Sequence, residues 1–367
     1  MRIDLAITEL SFGGAERCLT QLAIGLQQRG HDVRVLSIGS LPQGDQAQLV
    51  VALQDQGVAV EAGGWDRPRQ VIQAYWWLRE RFLRNPPDLL QTMLYHANVL
   101  ATWAAKSVGV PVRIGGMRVA ERSRFRELLE ARAIAQMDAL VCVSDSVARF
   151  ATSAFPRAIR GLEVIPNAID IDAIDHIAPA AWDQIGWPND SQVVLFVGRL
   201  HRQKGLDLLV EAIEPLLARY PEMRCCLVGE GPLRETLESV EERLGRDRFR
   251  LLGWRRDAVA MIKACRLLVL PSRYEGMPNV VLEAMAVGKP IAATRVEGVS
   301  ELLGDNAPYQ TTLPEDPCAF AALVEDLWVN PTASQVLAEQ NRTRAVESFS
   351  VPQMVDRYET LYRSLLC

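Results

Sequence analysis

Two glutamates with seven residues between them, Glu275 and Glu283, flank a glycine and a proline in Pro271-Ser272-Arg273-Tyr274-Glu275-Gly276-Met277-Pro278-Asn279-Val280-Val281-Leu282-Glu283. Pro278 suits the start of a helix, where its missing N–H would have no intrahelical partner anyway. The segment therefore predicts a buried strand ending at Pro271, a glycine loop, and a helix. Amides of Gly276, Met277 and the first helical turn would cradle an anion or a hydroxyl. Glu275 then stands before the helix and Glu283 inside its second turn, so both carboxylates reach one ligand from its two ends. Read singly, one is a loop carboxylate near a positive helix end and the other an ordinary surface glutamate. In the order strand–Glu–Gly–helix–Glu they read as a binding site.

A basic pair has its own logic. Arg199 follows the apolar run Val193–Val197, and Lys204 lies five residues on, immediately before Gly205. A planar guanidinium grips phosphate oxygens at two points and an ammonium adds a compact charge. Gly13-Gly14 precedes a helical stretch, where the lack of a Cβ lets a ligand come close to the backbone; Glu16 reads as a partner of the helix dipole. His96, within Tyr95-His96-Ala97-Asn98, either hydrogen-bonds a hydroxyl-rich ligand or caps a helix start. Asp170-Ile171-Asp172 has a spacing that can hold a divalent metal. It follows Pro166-Asn167, however, and Asp175 continues the acidic spacing, so turn-forming and capping duty is the better reading. The four histidines are scattered without ligand spacing, and no metal site is expected.

These residues need elements to hold them. Short apolar runs alternate with longer helical stretches, the pattern of parallel α/β architecture. Strands are predicted at Ile3–Thr8, Asp32–Ser37, Asp88–Met93, Val112–Gly115 and Ala139–Ser144. The rhythm restarts at Val193–Val197, Arg224–Val228, Phe249–Leu252, Leu267–Leu270 and Pro290–Ala293. Both sets are too apolar to be half-exposed, so both sheets should be covered on two faces. Helices are predicted at Ala15–Arg29, Gly205–Arg219, Leu233–Leu244, Asp257–Ala264 and Asn279–Val287, with three more near Pro317–Val329, Thr332–Ser348 and Val351–Leu365. A Pro- and Gly-containing stretch between Asn167 and Val193 marks the joint of two domains, with a ligand cleft expected where the carboxyl ends of their strands face each other.

Composition fits. At 367 residues, 49% of them hydrophobic and 23% charged, the chain can bury two cores. A formal net charge of −5 does not suggest nucleic-acid binding. Seven cysteines without CxxC spacing, several inside apolar runs, suit a reducing cytoplasm. The N-terminal apolar run is too short and too acidic for a signal peptide, and no run approaches a membrane span.

The Glu275–Glu283 segment resembles the E-x7-E signature of retaining, GT-B-fold glycosyltransferases, family 4 in particular. Gly13-Gly14-Ala15-Glu16 is similar to that family's first glycine loop, and Val164-Ile165-Pro166-Asn167-Ala168-Ile169-Asp170 to its interdomain segment. Val197-Gly198-Arg199-Leu200-His201-Arg202-Gln203-Lys204-Gly205 is similar to its diphosphate-binding element. Val228-Gly229-Glu230-Gly231-Pro232 and Leu252-Gly253-Trp254 match further landmarks. The resemblance implies two Rossmann-like domains: residues 1–170 on the acceptor side and 171–348 on the nucleotide-sugar side, with 349–367 packing back on the first. It also implies a metal-independent, retaining transfer from a nucleotide-diphosphate sugar, UDP-linked or, alternatively, GDP-mannose. The acceptor it implies is a glycan or lipid-linked molecule of envelope polysaccharide or glycoconjugate synthesis. No cofactor is implied.

On this resemblance Arg199 and Lys204 stabilise the leaving diphosphate in place of a metal, Glu283 holds the ribose diol, and Glu275 with the amides after it holds sugar hydroxyls. Gly14, Gly253, Trp254, Gly276, Met277, Asn279 and Val280 complete the donor site, His96 lies near the donor sugar, and Arg118 and Arg122 fall on the acceptor side. Arginines surround aromatic residues in Asp66–Arg84 and are dense in Val112–Arg132. Val71, Tyr75, Leu78 and Phe82 predict a core-facing helical stripe, with docking on an anionic membrane as the functional alternative. Three rivals remain weaker. A nucleotide-sugar epimerase needs more acid and base groups than four histidines offer. A nicotinamide dehydrogenase needs a G-x-G-x-x-G after the first strand. A sensor without catalysis has no reason to keep Arg199, Lys204, Glu275 and Glu283 together.

Overall fold

A computed structural model describes residues 1–11, 13–119 and 124–366. The chain forms two compact units, Met1–Ala168 with Val351–Cys367, and Ile169–Ser350.

In the first unit seven parallel strands are β1 (Arg2–Ile7), β2 (Asp32–Ser37), β3 (Ala59–Ala62), β4 (Leu89–Met93), β5 (Val112–Met117), β6 (Ala139–Cys142) and β7 (Leu162–Val164). They lie in the order β3-β2-β1-β4-β5-β6-β7. Ile3 is opposite both Val33 and Leu89. Alternation along the central strand sends Ile3, Leu5 and Ile7 into one buried cluster and Ala6 into another, so both faces are covered. Helices Gly14–Gln28 and Val351–Leu366 cover the first face; Val71–Arg84 and Tyr95–Val108 cover the second.

The helix Val351–Leu366 is fastened at several points. A Cβ on Gly25 would lie 2.5 Å from a methyl of Val355, so the small residue sets the helix spacing. Arg29 reaches Asp356 at 2.6 Å and Glu359 at 2.8 Å, while Tyr358 and Tyr362 are fully buried. The Arg29 hydrogen bond, followed by that of Arg363, holds the Glu359 carboxyl at a pKa of about 2.

The second unit has six parallel strands: β8 (Gln192–Val197), β9 (Met223–Val228), β10 (Phe249–Leu251), β11 (Leu267–Leu270), β12 (Ile291–Thr294) and β13 (Thr311–Thr312). Their order is β10-β9-β8-β11-β12-β13. Strands β3, β7 and β13 were absent from the sequence expectation. All three are short edge strands, and Ala-Val-Glu-Ala, Leu-Glu-Val and Thr-Thr carry no continuous apolar run. In both sheets the strand order reverses once, between β1 and β4 and between β8 and β11. Loops leaving those strands diverge there and open a crevice at the carboxyl edge.

Candidate functional site

In the second unit the crevice is built from the loop after β8, residues 198–205, and the loop after β11, residues 271–278. Gly205 has φ +63°, and a Cβ on it would lie 2.0 Å from the Pro271 carbonyl oxygen; only glycine lets the two loops meet. A backbone bond from Arg273 N–H to the Gln203 carbonyl (2.7 Å) and one from Gln203 Nε2 to the Tyr274 carbonyl (2.9 Å) strap them together. Arg273 adds a clamp, donating to both carboxylate oxygens of Asp207 at 2.8 Å and to Glu315 at 2.5 Å. These bonds, with that to Asp207 the larger influence, hold the guanidinium above its usual pKa.

Within this frame Lys204 Nζ donates to Glu275 Oε1 at 2.5 Å, and both side chains are nearly buried. Ser272 Oγ donates to the same oxygen at 2.7 Å, and the Thr294 hydroxyl donates to the Ser272 carbonyl. The structure thus pairs two groups to which the resemblance gives separate duties. A buried ion pair with a further hydrogen bond on the carboxylate is a positioned unit, since removing one partner strands the other charge. Arg199, at the end of β8, is exposed and makes no side-chain hydrogen bond or ion pair among the described residues. It is an uncompensated cation of the crevice among the described residues.

The helix begins at Asn279, as Pro278 led one to expect, and runs to Ala286; Pro278 occupies the cap position in an extended conformation and no side chain caps the first turn. Asn279 and Val280 are half-buried, Met277 and Gly276 buried, and Glu283 is 4% exposed, far from an ordinary surface glutamate. Gly253 and Trp254 follow β10 on the same carboxyl edge; Gly253 accepts a bond from Gly229 N–H at 2.8 Å, and Trp254 is exposed.

Sequence reasoning passed over the neighbouring loop. Gly298 has φ +72°, and a Cβ there would lie 2.2 Å from the Gly276 oxygen. Glu297 Oε2 accepts from Glu275 N–H at 3.5 Å. A signal was present: Arg273-Tyr274-Glu275-Gly276 after β11 and Arg295-Val296-Glu297-Gly298 after β12 share an Arg-x-Glu-Gly pattern. Two stacked loops of one design form the floor of the crevice.

In the first unit the corresponding crevice is a cavity of about 180 Å³ whose lining includes Thr8, Glu9, Trp65, Asp66, Arg67 and His96. Thr8 Oγ1 and Trp65 Nε1 are buried without a hydrogen-bond partner among the described residues, each at a cost of roughly 1–3 kcal/mol while unpaired. Asp66 accepts from the Ser40 hydroxyl at 2.6 Å and its amide at 2.7 Å, bonds that hold its carboxyl below the usual range. Partial burial, then the nearby Arg126 charge, pushes His96 below its ordinary pKa against the opposing pull of Glu9, so its ring is neutral at pH 7.

Gly14 opens the helix Gly14–Gln28, and the preceding Gly13 has a local reason to be glycine: its Cβ would lie 2.3 Å from Glu16 Oε2. Arg118 is half-buried, donating to Asn167 Oδ1 at 3.0 Å and to Met93 Sδ at 3.4 Å. Arg122 lies outside the described residues. Asp170 caps the helix Ile171–Asp175 through a bond from Ala173 N–H at 3.0 Å, and Arg342 grips Asp175. The core-facing stripe of Val71–Arg84 is Ala74, Leu78 and Phe82; Tyr75 is half-buried and Val71, the first residue, is exposed. Ile72, Trp76 and Leu83 face outward, with Arg79 5.4 Å from the Trp76 ring. No helix among the described residues is long and apolar enough to cross a membrane.

Comparison with known proteins decides the family. Residues 12–173 match the model for Glycosyltransferase Family 4, and residues 191–330 match that for Glycosyl transferases group 1. The chain belongs to the GT-B glycosyltransferases. Among curated proteins it is 28% identical to the lipopolysaccharide core biosynthesis glycosyltransferase LpsE of Rhizobium meliloti, over 86% of this chain and 94% of the relative. Identity to LpsD of the same organism, also a lipopolysaccharide core biosynthesis glycosyltransferase, is 27% over 95% of both. Among solved structures, HepE of Anabaena in complex with UDP-glucose superimposes with a TM-score of 0.84 at 20% identity, over 99% of this glycosyltransferase and all of HepE.

Proposed function

We propose that this glycosyltransferase takes a sugar from a nucleoside-diphosphate donor held by its second unit and retains the anomeric configuration, without a metal. The observation that carries the reading is the buried Lys204–Glu275 pair, braced by Ser272 and set beside the unpaired Arg199 at the reversal between β8 and β11. Arg199 meets the diphosphate first. Glu275 holds Lys204 in the crevice and turns its remaining acceptor capacity to donor-sugar hydroxyls; both cations face the phosphate oxygen that gains charge as the glycosidic bond breaks. That oxygen then helps take the proton of an acceptor hydroxyl attacking from the same face. Glu283, on the helix that follows, binds the ribose diol, and the uncapped first turn at Asn279 and Val280 adds its dipole.

A UDP-linked donor is the first choice and GDP-mannose the second, the former supported by the UDP-glucose complex of HepE. The acceptor is a glycan or lipid-linked molecule of envelope polysaccharide synthesis, supported by the lipopolysaccharide relatives. It binds the first unit, where Thr8, Trp65, Glu9 and the neutral His96 offer hydroxyl-bonding groups. The outward Ile72, Trp76 and Leu83 with Arg79 suit peripheral contact with an anionic leaflet.

Two variants test the donor site. Glu283→Gln weakens bare UDP and UDP-sugar alike. Glu275→Gln releases Lys204, so bare UDP binds at least as tightly as before while transfer falls. Equal losses of both ligands in both variants refute the division of duties. Turnover persists in excess chelator, and NMR of the first-formed product shows the donor's anomeric configuration; inversion, or rescue only by Mg²⁺ or Mn²⁺, overturns the mechanism.

A further inference from the structure

The second sheet has another polar cavity, at its amino edge, away from the carboxyl-edge loops of the donor crevice. It measures about 330 Å³ and is lined by residues at the heads of β8, β11 and β12, among them Gln192, Arg266 and Lys289, with Ser334 and Gln335 from the start of the helix Pro331–Ser348. Its cations are not matched by acids. Arg266 Nη1 donates to Gln192 Oε1 at 3.2 Å and Nη2 to the Trp328 carbonyl at 2.5 Å, and its guanidinium lies 4.1 Å from the Trp328 ring centre. Every one of those partners is neutral. Lys289 is half-buried and its ammonium makes no hydrogen bond or ion pair among the described residues. Its charge is felt by the buried Cys265, which places it at the cavity. Burial pushes the Arg266 pKa down, against a weaker pull from Glu222. The helix entering the cavity has no side-chain cap, because Asn330 turns its amide to Asp326.

Two half-buried cations facing one space, with no carboxylate among the lining residues and none in ion-pair contact with either among the described residues, make a receptor for negative charge. We infer that this cavity binds a compact phosphate-bearing anion, a free diphosphate or a sugar phosphate, held by Arg266 and Lys289. Solvated cations on an open face are the ordinary alternative, but Arg266 is fixed by three neutral contacts and cannot swing out to water. The position matters as much as the charge. The chain enters β11 from Arg266, passes through the loop of Glu275, returns along the helix of Glu283, and leaves it at Lys289, whose N–H bonds the Ala284 carbonyl at 2.9 Å. An anion bridging the two cations joins both ends of the strand–loop–helix unit that carries the donor glutamates.

Calorimetric titration of the full chain, with UDP saturating the donor crevice, tests this. Inorganic pyrophosphate and glucose 1-phosphate are titrated separately, and the tighter of the two identifies the free or the sugar-linked class. The wild-type protein binds one equivalent at millimolar concentration or below. Lys289→Glu weakens binding about tenfold or more, from the loss of a charge-assisted contact, and Gln335→Glu, on the exposed helix surface, weakens it several-fold. Lys106→Ala, which removes an exposed cation on the helix Tyr95–Val108 of the first unit, leaves it unchanged. No heat with wild type at millimolar anion, or the same affinity in wild type and both pocket variants, overturns the inference. Melting curves of the two variants separate lost binding from lost folding.

Discussion

The two crevices share a topology and differ in their chemistry. In each, the strand order reverses beside the first strand of the sheet, and loops from the two diverging strands form the walls. In the second unit the polar groups are already committed to one another. Thr294, Ser272, Glu275 and Lys204 form a continuous chain of donors and acceptors, and Gly205 and Gly298 allow the backbones to touch. The first unit holds its groups apart: among the described residues Thr8 and Trp65 keep buried polar atoms unpaired, and His96 is neutral. A preorganised charge network suits a step in which charge develops, because nothing need reorient when it appears. Open, neutral hydrogen-bonding groups suit recognition of a hydroxyl-rich molecule. On the proposed function, the same fold divides electrostatics from selection.

Breaking the charged half should have the largest effect. Arg199→Ala and Lys204→Ala are each expected to slow transfer by on the order of 10²-fold or more, measured as kcat/KM for the donor, with circular dichroism unchanged for Arg199→Ala. Full activity in both would remove the electrostatic role from this crevice. Gly298→Ala attacks the packing beneath it. Its φ is positive and its new Cβ would collide with the Gly276 oxygen, so about 1–3 kcal/mol of stability should be lost, together with roughly tenfold in donor KM as the Glu275 loop shifts. A variant with wild-type melting and kinetics would show that the two Arg-x-Glu-Gly loops move independently.

The recognition half should respond more mildly. Trp65→Phe keeps a ring and deletes the indole N–H, and acceptor KM should rise several-fold while hydrolysis of the donor in the absence of acceptor is unchanged. A rise in donor KM instead would merge the two roles. Smallest is the titration of His96. Its NMR midpoint should lie below 6.5, and Glu9→Gln, by removing the pull that opposes burial, should lower it further. Because the folded state disfavours the charged ring, the associated stability is present above pH 6.5 and declines as the pH falls below it. A midpoint above 6.5 would mean Glu9 outweighs burial.

Much of the second crevice was legible in the sequence because its local rules agree: a buried strand, a glycine turn, and a proline suited to the start of a helix. Interior strands announced themselves through runs such as Leu267–Leu270, and the edge β10 did so through its apolar Phe249 and Leu251, while the edges β3, β7 and β13 carry too few consecutive apolar residues to be read as strands. The Lys204–Glu275 pair could not be read from a separation of 71 residues, because only the close approach that Gly205 permits brings the two loops together. Trp65 was equally silent. Its significance lies in a hydrogen bond it does not make, and no pattern of residue types records that.

The helix Val351–Leu366 has a consequence for how the protein is made. It supplies Met354, Val355, Tyr358 and Tyr362 to the core built on Ile3, Leu5 and Leu22, yet it is translated after every residue of the second unit. During synthesis the usual order, N-terminal domain first, is therefore inverted. The second unit has all of its sequence while the first still exposes the groove around Gly25 and Cys18. Truncation after Ser350 would spare Glu275 and Glu283 and damage the folding of the opposite unit, so chaperones meeting the nascent chain should recognise the surface of the helix Gly14–Gln28.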